Sequence, residues 1–456
     1  MTYETKVAVL GGGVTGMCAA HYLCELLGRE SVLVLESSDT AGGTTRTDAV
    51  DGFRLDWGPN GFLDREPLTL KWVDDLGLTG ELVRANEAAA KRLILKNGQL
   101  VEIKPPPAFL FSPLLSVRGR LRLLCEPFVA QKTDISPETI WNFAARRIGP
   151  EAADTLVSCM VSGVFGGDAK LLSLEHCFPR MAAMEREYGT LFKALMSKRR
   201  INKSASAMGP GGVLTTFREG IGFLPRHVAE QIGPRMLYGN GAKRVTRENG
   251  EYSIETSAGD TVNARYIVVA MPTHAAAVAL ANLDPDLCNT LTNIPYADIV
   301  VVCTGYSGDQ VARDVDGFGF LVPRSEGKRA LGCLWTSSIF PHEAPSGGVL
   351  LRTMIGGATD PDAVRLSDAE LLAIVQREIH PLMQVSGAPQ LVRIFRHAPG
   401  IPQYLLNHAE NLDAIDAAEQ RHPGLYFAGN AYRGVGLNDC VVSAVRAVER
   451  LAAHDK

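Results

Sequence analysis

Three glycines, Gly11, Gly13 and Gly16, stand at a spacing that lets a diphosphate approach a protein backbone. Each serves a different need. Gly11 permits a tight turn, Gly13 a close approach of the phosphates, and Gly16 the close packing of a helix on a sheet. Lys6 to Leu10 before them reads as a short buried strand, and the apolar run Met17 to Leu27 after them reads as a helix. Val14 and Thr15 therefore sit where the helix opens, with its unpaired N–H groups and positive dipole end turned to the phosphates. A second strand, Ser31 to Leu35, ends in Glu36 and Ser37, with Glu36 twenty positions after Gly16. An acid there can accept hydrogen bonds from ribose hydroxyls. A plain glycine turn would need neither the second strand nor the acid, so the pattern points to a bound dinucleotide.

A second glycine loop, near the other end of the chain, narrows the dinucleotide to a flavin. Leu425 to Ala428 reads as a buried strand, and the loop Gly429-Asn430-Ala431-Tyr432-Arg433-Gly434-Val435-Gly436 leads into a helix over Asp439–Leu451. Asp439 occupies the expected N-cap. A reduced flavin carries negative charge around N1 and its C2 carbonyl, which a helix N-terminus stabilises. In Asp39–Arg46, the adjacent Gly42 and Gly43, with Thr44, allow the backbone to lie along the cofactor, and Arg46 can meet its phosphates. Asp56-Trp57-Gly58-Pro59-Asn60 would carry the chain past the isoalloxazine ring. The apolar strand Tyr266–Ala270 ends at the same edge, which makes Ala270 a further candidate contact. The cofactor is read as FAD, and no metal site is expected.

The elements that must hold these loops are spread along 456 residues, enough for two or three folding units. The 46 Lys and Arg against 50 Asp and Glu exclude a general nucleic-acid binder. Residues 91–203 are basic, with 18 Lys and Arg against 10 Asp and Glu. The nine cysteines form no C-x-x-C and no pairing with histidine at metal spacing, which argues against a disulfide framework or zinc. Only five residues precede the first expected strand, which argues against a leader peptide, and the cytoplasm is the simplest compartment. No run approaches the ~18 apolar residues of a membrane-spanning helix. No Ser/His/Asp or paired-carboxylate arrangement suggests hydrolysis.

After a helix at Leu68–Leu76, Arg92–Val101 reads as a hairpin turning at Asn97-Gly98. Pro105-Pro106-Pro107 breaks the structure, and a helical stretch continues to about Lys203. Phe217–Ile232 suggests a glycine turn and a helix. Strands follow near Arg235–Tyr238, Ala242–Arg247, Glu251–Thr256 and Thr261–Ala270, then Ile299–Cys303, Gly317–Val322, Leu331–Thr336 and Val349–Ile355. The expected class is α/β. A discontinuous Rossmann-like FAD-binding domain (1–63, 207–272 and 423–456) is expected, with mixed helices and strands over about 273–422 and a mainly helical stretch before Lys203.

Several segments resemble the protoporphyrinogen/coproporphyrinogen oxidases of the amine-oxidase superfamily. They are Ser162-Gly163-Val164-Phe165-Gly166-Gly167-Asp168 with Leu172-Ser173-Leu174, Glu187-Tyr188-Gly189-Thr190-Leu191, Asp316 to Pro323, and Gly429 to Leu437. Asn438, where that family commonly has proline, is a departure that leaves Asp439 in place. The resemblance implies oxidation of a porphyrinogen in three two-electron steps in haem biosynthesis, with molecular oxygen as acceptor and hydrogen peroxide as product. It implies that Arg92 pairs with a substrate propionate, that Leu321, Leu334 and Met354 pack on the macrocycle, and that Gly163 approaches it by its backbone. It places the backbone of Val245 at the adenine end of FAD. It also implies a fold in which the FAD domain is joined to a mixed α/β substrate domain (64–91 and 273–422) with an inserted, mainly helical lobe (92–206) that contacts an anionic membrane surface, and it implies a haem-pathway enzyme as partner. Protoporphyrinogen and coproporphyrinogen differ at two side chains, and the sequence leaves that choice open; the remaining alternatives are an amine oxidase or other FAD oxidoreductase of the superfamily, such as a carotenoid-desaturase-like member, and a flavin-binding protein without turnover.

Overall fold

The computed structural model describes residues 1–105, 108–134, 136–201 and 211–455. The expected boundary at 206–207, part of the triple-proline break and Lys203 lie outside the described residues. Two seven-stranded sheets carry the fold.

In the first sheet the strands run in the order Met236–Leu237, Val32–Leu35, Thr2–Leu10, Thr261–Val269, Glu251–Thr256 and Ala242–Glu248, and Leu425–Phe427 also pairs with Thr261–Val269. The N-terminal strand begins at Thr2, not Lys6, because Thr261–Val269 pairs with it from Thr2↔Thr261 to Leu10↔Val269. Val7 and Val9 enter one core, Ala8 and Leu10 the other. Helices Val14–Leu27 and Leu437–His454 close the first face. Thr273–Leu280, Pro285–Thr292 and His408–Arg421 close the second. A sheet buried on both faces leaves its strand ends as the place for a ligand.

The order in the second sheet is Leu391–Pro402, Tyr296–Ser307, Gly348–Gly356, Ala330–Trp335, Gly319–Leu321, Arg92–Lys96 and Gln99–Glu102. The hairpin turns as expected, with positive φ at both Asn97 and Gly98 (51° and 74°). It pairs with Gly319–Leu321, however, so its backbone belongs to this sheet and the helical segment starts only at Ala108. Leu391–Pro402 was not anticipated: Arg393, Arg396, His397 and Pro399 break any apolar alternation, which an edge strand tolerates. Leu93, Phe320, Trp335 and Leu351 form a core with the helix Asp368–Glu378 on one face. The other face borders the strand Phe53–Asp56 and Trp57.

Residues 64–91 also differ from expectation. Trp72 and Val73, on the helix Pro67–Asp75, are fully buried beside Met17 and Leu451 in the first sheet's core. Their apolar face is covered by the last helix, so this segment packs on the nucleotide side. In the lobe, Arg147 is fully buried between Glu126 and Glu185, a paired arrangement that makes a buried charge tolerable. No helix among the described residues is long and apolar enough to cross a membrane.

Candidate flavin and substrate site

The cradle is built by geometry at the ends of the first sheet's parallel strands. Gly11 has φ +109°, and a Cβ there would lie 2.8 Å from the Ala270 carbonyl oxygen. At Gly16 a Cβ would meet the Gly11 carbonyl oxygen at 1.9 Å, which fixes the helix against the turn. Gly13 is different: a Cβ there would find nothing within 4 Å and would project into an open groove. The helix Val14–Leu27 starts from Gly13 without a capping side chain or an acid in its first turn, so its N–H groups are free for an anion. Gly42 donates its N–H to the Gly12 carbonyl (2.8 Å) and bridges Gly13, which brings the Gly42-Gly43 loop alongside.

Glu36, buried, accepts hydrogen bonds from the N–H groups of Gly12 (2.7 Å) and Ser38 (2.8 Å) and from Ser37 Oγ (3.3 Å). The carboxylate is thus fixed before any ribose arrives. Arg46 donates to the Thr40 carbonyl (3.0 Å) and lies over the Trp57 ring (5.2 Å), while its buried Nε has no partner among the described residues. Asn60 Nδ2 is likewise buried without one. An open groove, a bare helix N-terminus and two buried donors awaiting acceptors fit a dinucleotide. The Val245 side chain is fully buried in the core of the strand Ala242–Glu248, so any outward contact it makes is through its backbone.

Gly58 and Thr44 touch closely, since a Cβ on Gly58 would lie 2.6 Å from the Thr44 carbonyl oxygen. From the second sheet, Arg352 donates to the carbonyls of Gly58 and Trp57, and His397 Nε2 is 2.9 Å from the Trp57 carbonyl. Gly58 is therefore packed against the Thr44 loop and held, with Trp57, by Arg352 and His397 of the second sheet.

The C-terminal loop corrects one expectation. The last helix begins at Leu437 with Gly436 as N-cap, and Asp439 is its third residue. Because glycine has no capping side chain, Asp439 reaches back and accepts the Gly436 N–H at 3.0 Å. Gly434 has φ +134°, and a Cβ there would lie 2.4 Å from Asp439 Cγ, so the close approach requires glycine. Gly429 donates to Ser443 Oγ (3.0 Å), and Asn438 Nδ2 donates to the Leu63 carbonyl (2.9 Å).

Two residues missed in the sequence hold this loop. The buried Tyr404 hydroxyl accepts the Gly434 N–H (2.9 Å) and donates to the Asn430 carbonyl. His408, stacked on Tyr404 with ring centroids 4.2 Å apart, places Nε2 2.7 Å from the Tyr432 carbonyl. Burial pushes its pKa down to about 4, so the ring is neutral and donates through Nε2. Nothing local in Gln403–His408 marks either residue; their partners lie some 25 residues away.

Register assembles the substrate candidates. Arg92, Gly319, Leu334 and Arg352 pair in one row across four strands, and Ile94, Leu321, Gly332 and Met354 in the next. Paired residues share a face, so Arg92, Leu321, Leu334 and Met354 stand together. Gly163, on the helix Ser158–Phe165, packs onto them: a Cβ there would lie 2.7 Å from Leu321 Cδ2. Arg92 lies over the Phe318 ring (5.2 Å), and desolvation by its surroundings holds its pKa below the usual arginine value. Lys91 beside it pairs with Asp316 at 2.9 Å, whereas Arg92 makes no ion pair among the described residues. Arg352 was not anticipated in this row, although two-residue parity with Met354 in a strand carried the signal. Among the described residues no group of His, Cys, Asp and Glu could hold a metal ion.

The flavin containing amine oxidoreductase family model matches residues 14–452. The chain is 28% identical to the coproporphyrinogen III oxidase of Bacillus subtilis (strain 168), covering 98% of this chain and 97% of that one. It is 30% identical to the chloroplastic protoporphyrinogen oxidase of Oryza sativa subsp. japonica, covering 98% and 88%. A crystal structure from Exiguobacterium sp. 255-15, provisionally assigned as a protoporphyrinogen oxidase, superposes with a TM-score of 0.85 at 24% identity. That match covers 98% of this chain and 99% of the other, and at that identity it shows a shared fold.

Proposed function

Because the chain belongs to the flavin containing amine oxidoreductase family, with full-length relatives named protoporphyrinogen and coproporphyrinogen oxidases, we propose that it is an FAD-dependent oxidase converting protoporphyrinogen IX to protoporphyrin IX. The observation that carries this reading is the sheet face on which Arg92 stands unpaired beside Leu321, Leu334 and Met354, next to a segment that also touches the dinucleotide cradle. A porphyrinogen is a large apolar disc with carboxylates at its rim, and a mostly apolar wall with one cation suits it. FAD, when bound, would supply the redox chemistry: three oxidations of the substrate, each of two electrons and two protons, balanced by reduction of three molecules of oxygen to hydrogen peroxide.

The remaining work belongs to the protein. Gly11, Gly13, Val14, Thr15 and Gly16 receive the pyrophosphate. Glu36 and Ser37 hold the ribose, and the backbones of Val245 and Ala270 border the adenine half. Gly42, Gly43, Thr44 and Arg46 cover the phosphates, while Gly58, Pro59 and Asn60 flank the ring. Gly429, Asn430, Gly434, Val435 and Gly436 aim the last helix at its far edge. Arg92 clamps a propionate through its planar guanidinium, and the apolar wall with Gly163 orients the macrocycle and keeps water out.

Coproporphyrinogen III is the second substrate reading, supported by relatives of that name at 28% and 26% identity, close to the plant protoporphyrinogen oxidases at 28–30%. We further propose a cytoplasmic enzyme whose basic lobe touches an anionic membrane surface, with a haem-pathway enzyme as a partner. In that lobe Phe111 and Phe128 are 81% and 88% exposed, and Arg118 and Lys132 follow them closely in the sequence. Anaerobic mixing of the yellow protein with each porphyrinogen, and separately with an amine, tests the reading. Bleaching by a porphyrinogen is expected, and its absence in flavin-loaded protein would falsify it.

A further inference from the structure

Beneath the Asp56–Gly58 segment lies a group of buried charges that the reading above leaves unused. Glu343 is 0% exposed, and neither of its carboxylate oxygens has a hydrogen-bond partner among the described residues. Asp56, 3% exposed, accepts through Oδ1 from Thr47 Oγ1 (2.6 Å) and the Ile221 N–H (3.4 Å), but its Oδ2 has no partner. Arg352, 5% exposed, spends its guanidinium on the Gly58 and Trp57 carbonyls, and its Nε has none. The turn Pro341–Glu343 is tied to the strand Phe53–Asp56 by Arg54, which donates to the His342 carbonyl at 2.7 Å.

The other ionisable groups facing this cluster are Asp48, which accepts the Trp57 indole N–H at 2.8 Å, His397 on the Trp57 carbonyl, Cys303 and Arg54. Burial pushes the Cys303 thiol up to about 12 and lowers His397, so both are neutral near pH 7.

Two buried carboxylates near one another cannot both ionise without large cost. Burial first, and the charge of Asp56 second, push Glu343 well above the usual carboxylate range, against the opposing pull of Arg352 and Arg54. Burial also pushes Asp56 up to about 6, opposed by its bond from Thr47 and by Arg352. At neutral pH the cluster thus holds one protonated acid, one carboxylate and the Arg352 cation. Arg352 occupies the same row as Leu334 and Arg92, so this cation joins the substrate-facing sheet to the segment assigned to the ring.

We propose that Arg352 is a positioning residue for the cofactor: it fixes the Trp57 and Gly58 peptides and, together with the buried carboxyl groups of Asp56 and Glu343, sets the electrostatic potential there. The proposal rests on the flavin reading. A buried cation favours the more negative, reduced state of a nearby ring.

The test is the midpoint potential of the bound flavin, measured by equilibration with a reference dye. Arg352→Met shifts it to more negative values, Arg352→Lys recovers part of the shift, and Asp56→Asn moves it the opposite way. Glu343→Gln leaves it at the wild-type value. Unchanged potentials in both Arg352→Met and Asp56→Asn overturn the proposal, as does a shift in Glu343→Gln. If Arg352→Met fails to fold, Asp56→Asn, which keeps an acceptor for Thr47, decides alone. Infrared spectroscopy needs no flavin: the wild type shows a protonated carboxylic-acid carbonyl band at neutral pH that Glu343→Gln abolishes. Absence of that band, or its persistence in the variant, overturns the assignment of Glu343. Protein that takes up no FAD at all would instead defeat the functional reading and leave the infrared answer standing.

Discussion

The two large sheets solve the same problem, presenting a surface to a ligand, in opposite ways. The first is buried on both faces, by Val7 and Val9 on one side and Ala8 and Leu10 on the other, and offers only its strand ends. Its proposed ligand groups are therefore backbone atoms and glycines in short loops. The second buries one face under helices, and the proposed substrate groups on its other face are side chains spaced two apart on several strands. Damage to the first should cost cofactor, and damage to the second should cost either fold or substrate, depending on parity.

The sharpest way to break that contrast is Gly13→Val. A Cβ at this position enters open space with no protein atom within 4 Å, so the expected outcome is colourless protein with a circular dichroism spectrum and apo melting temperature like the wild type. Purification with a full complement of flavin would show that the groove is not the pyrophosphate site. In the second sheet, Leu351→Ala on the helix-covered face is expected to lose about 2–5 kcal/mol of stability, the range for a buried leucine. Met354→Ala on the other face should cost the fold less and raise the Michaelis constant for the porphyrinogen. Equal effects in denaturant titrations would remove the parity argument.

Arg92→Ala is expected to weaken porphyrinogen binding by roughly 1.5–3 kcal/mol, the scale of a hydrogen bond to a charged group, with flavin content unchanged. Steady-state kinetics alongside flavin absorbance decide it. The last effect, confined to acid pH, concerns His408, whose folded pKa of about 4 lies below its ordinary 6.5. The unfolded chain then binds the proton more readily, so stability falls as pH drops from about 6.5 to about 4. His408→Gln should flatten that slope in melting curves, and an unchanged slope would mean the ring titrates without consequence for the fold.

What the sequence revealed follows the same division. The glycine cradle was legible because turn, strand and helix signals sit side by side between Lys6 and Glu36. The substrate face was not legible from spacing: Leu321, Leu334 and Met354 read as ordinary strand residues, and only resemblance singled them out. Arg352 was overlooked although it lies two residues from Met354. Tyr404 and His408 were invisible because their partners are in a distant loop. Asp439 was placed at the cap because an acid ahead of an apolar helix usually stands there; the structure starts the helix two residues earlier, at Leu437. The hairpin at Arg92 was found, but its allegiance depends on pairing with Gly319–Leu321, more than 200 residues later.

The strand Thr2–Leu10 receives its neighbour Thr261–Val269 only after more than half the chain has been made, and Leu425–Phe427 and the helix Leu437–His454 complete the same unit last. The first sheet therefore cannot close until residues far along the chain, out to Leu451, have been made. Until then Val7, Val9 and Met17 lack their final covering, and uptake of a dinucleotide by the cradle would have to follow that closure.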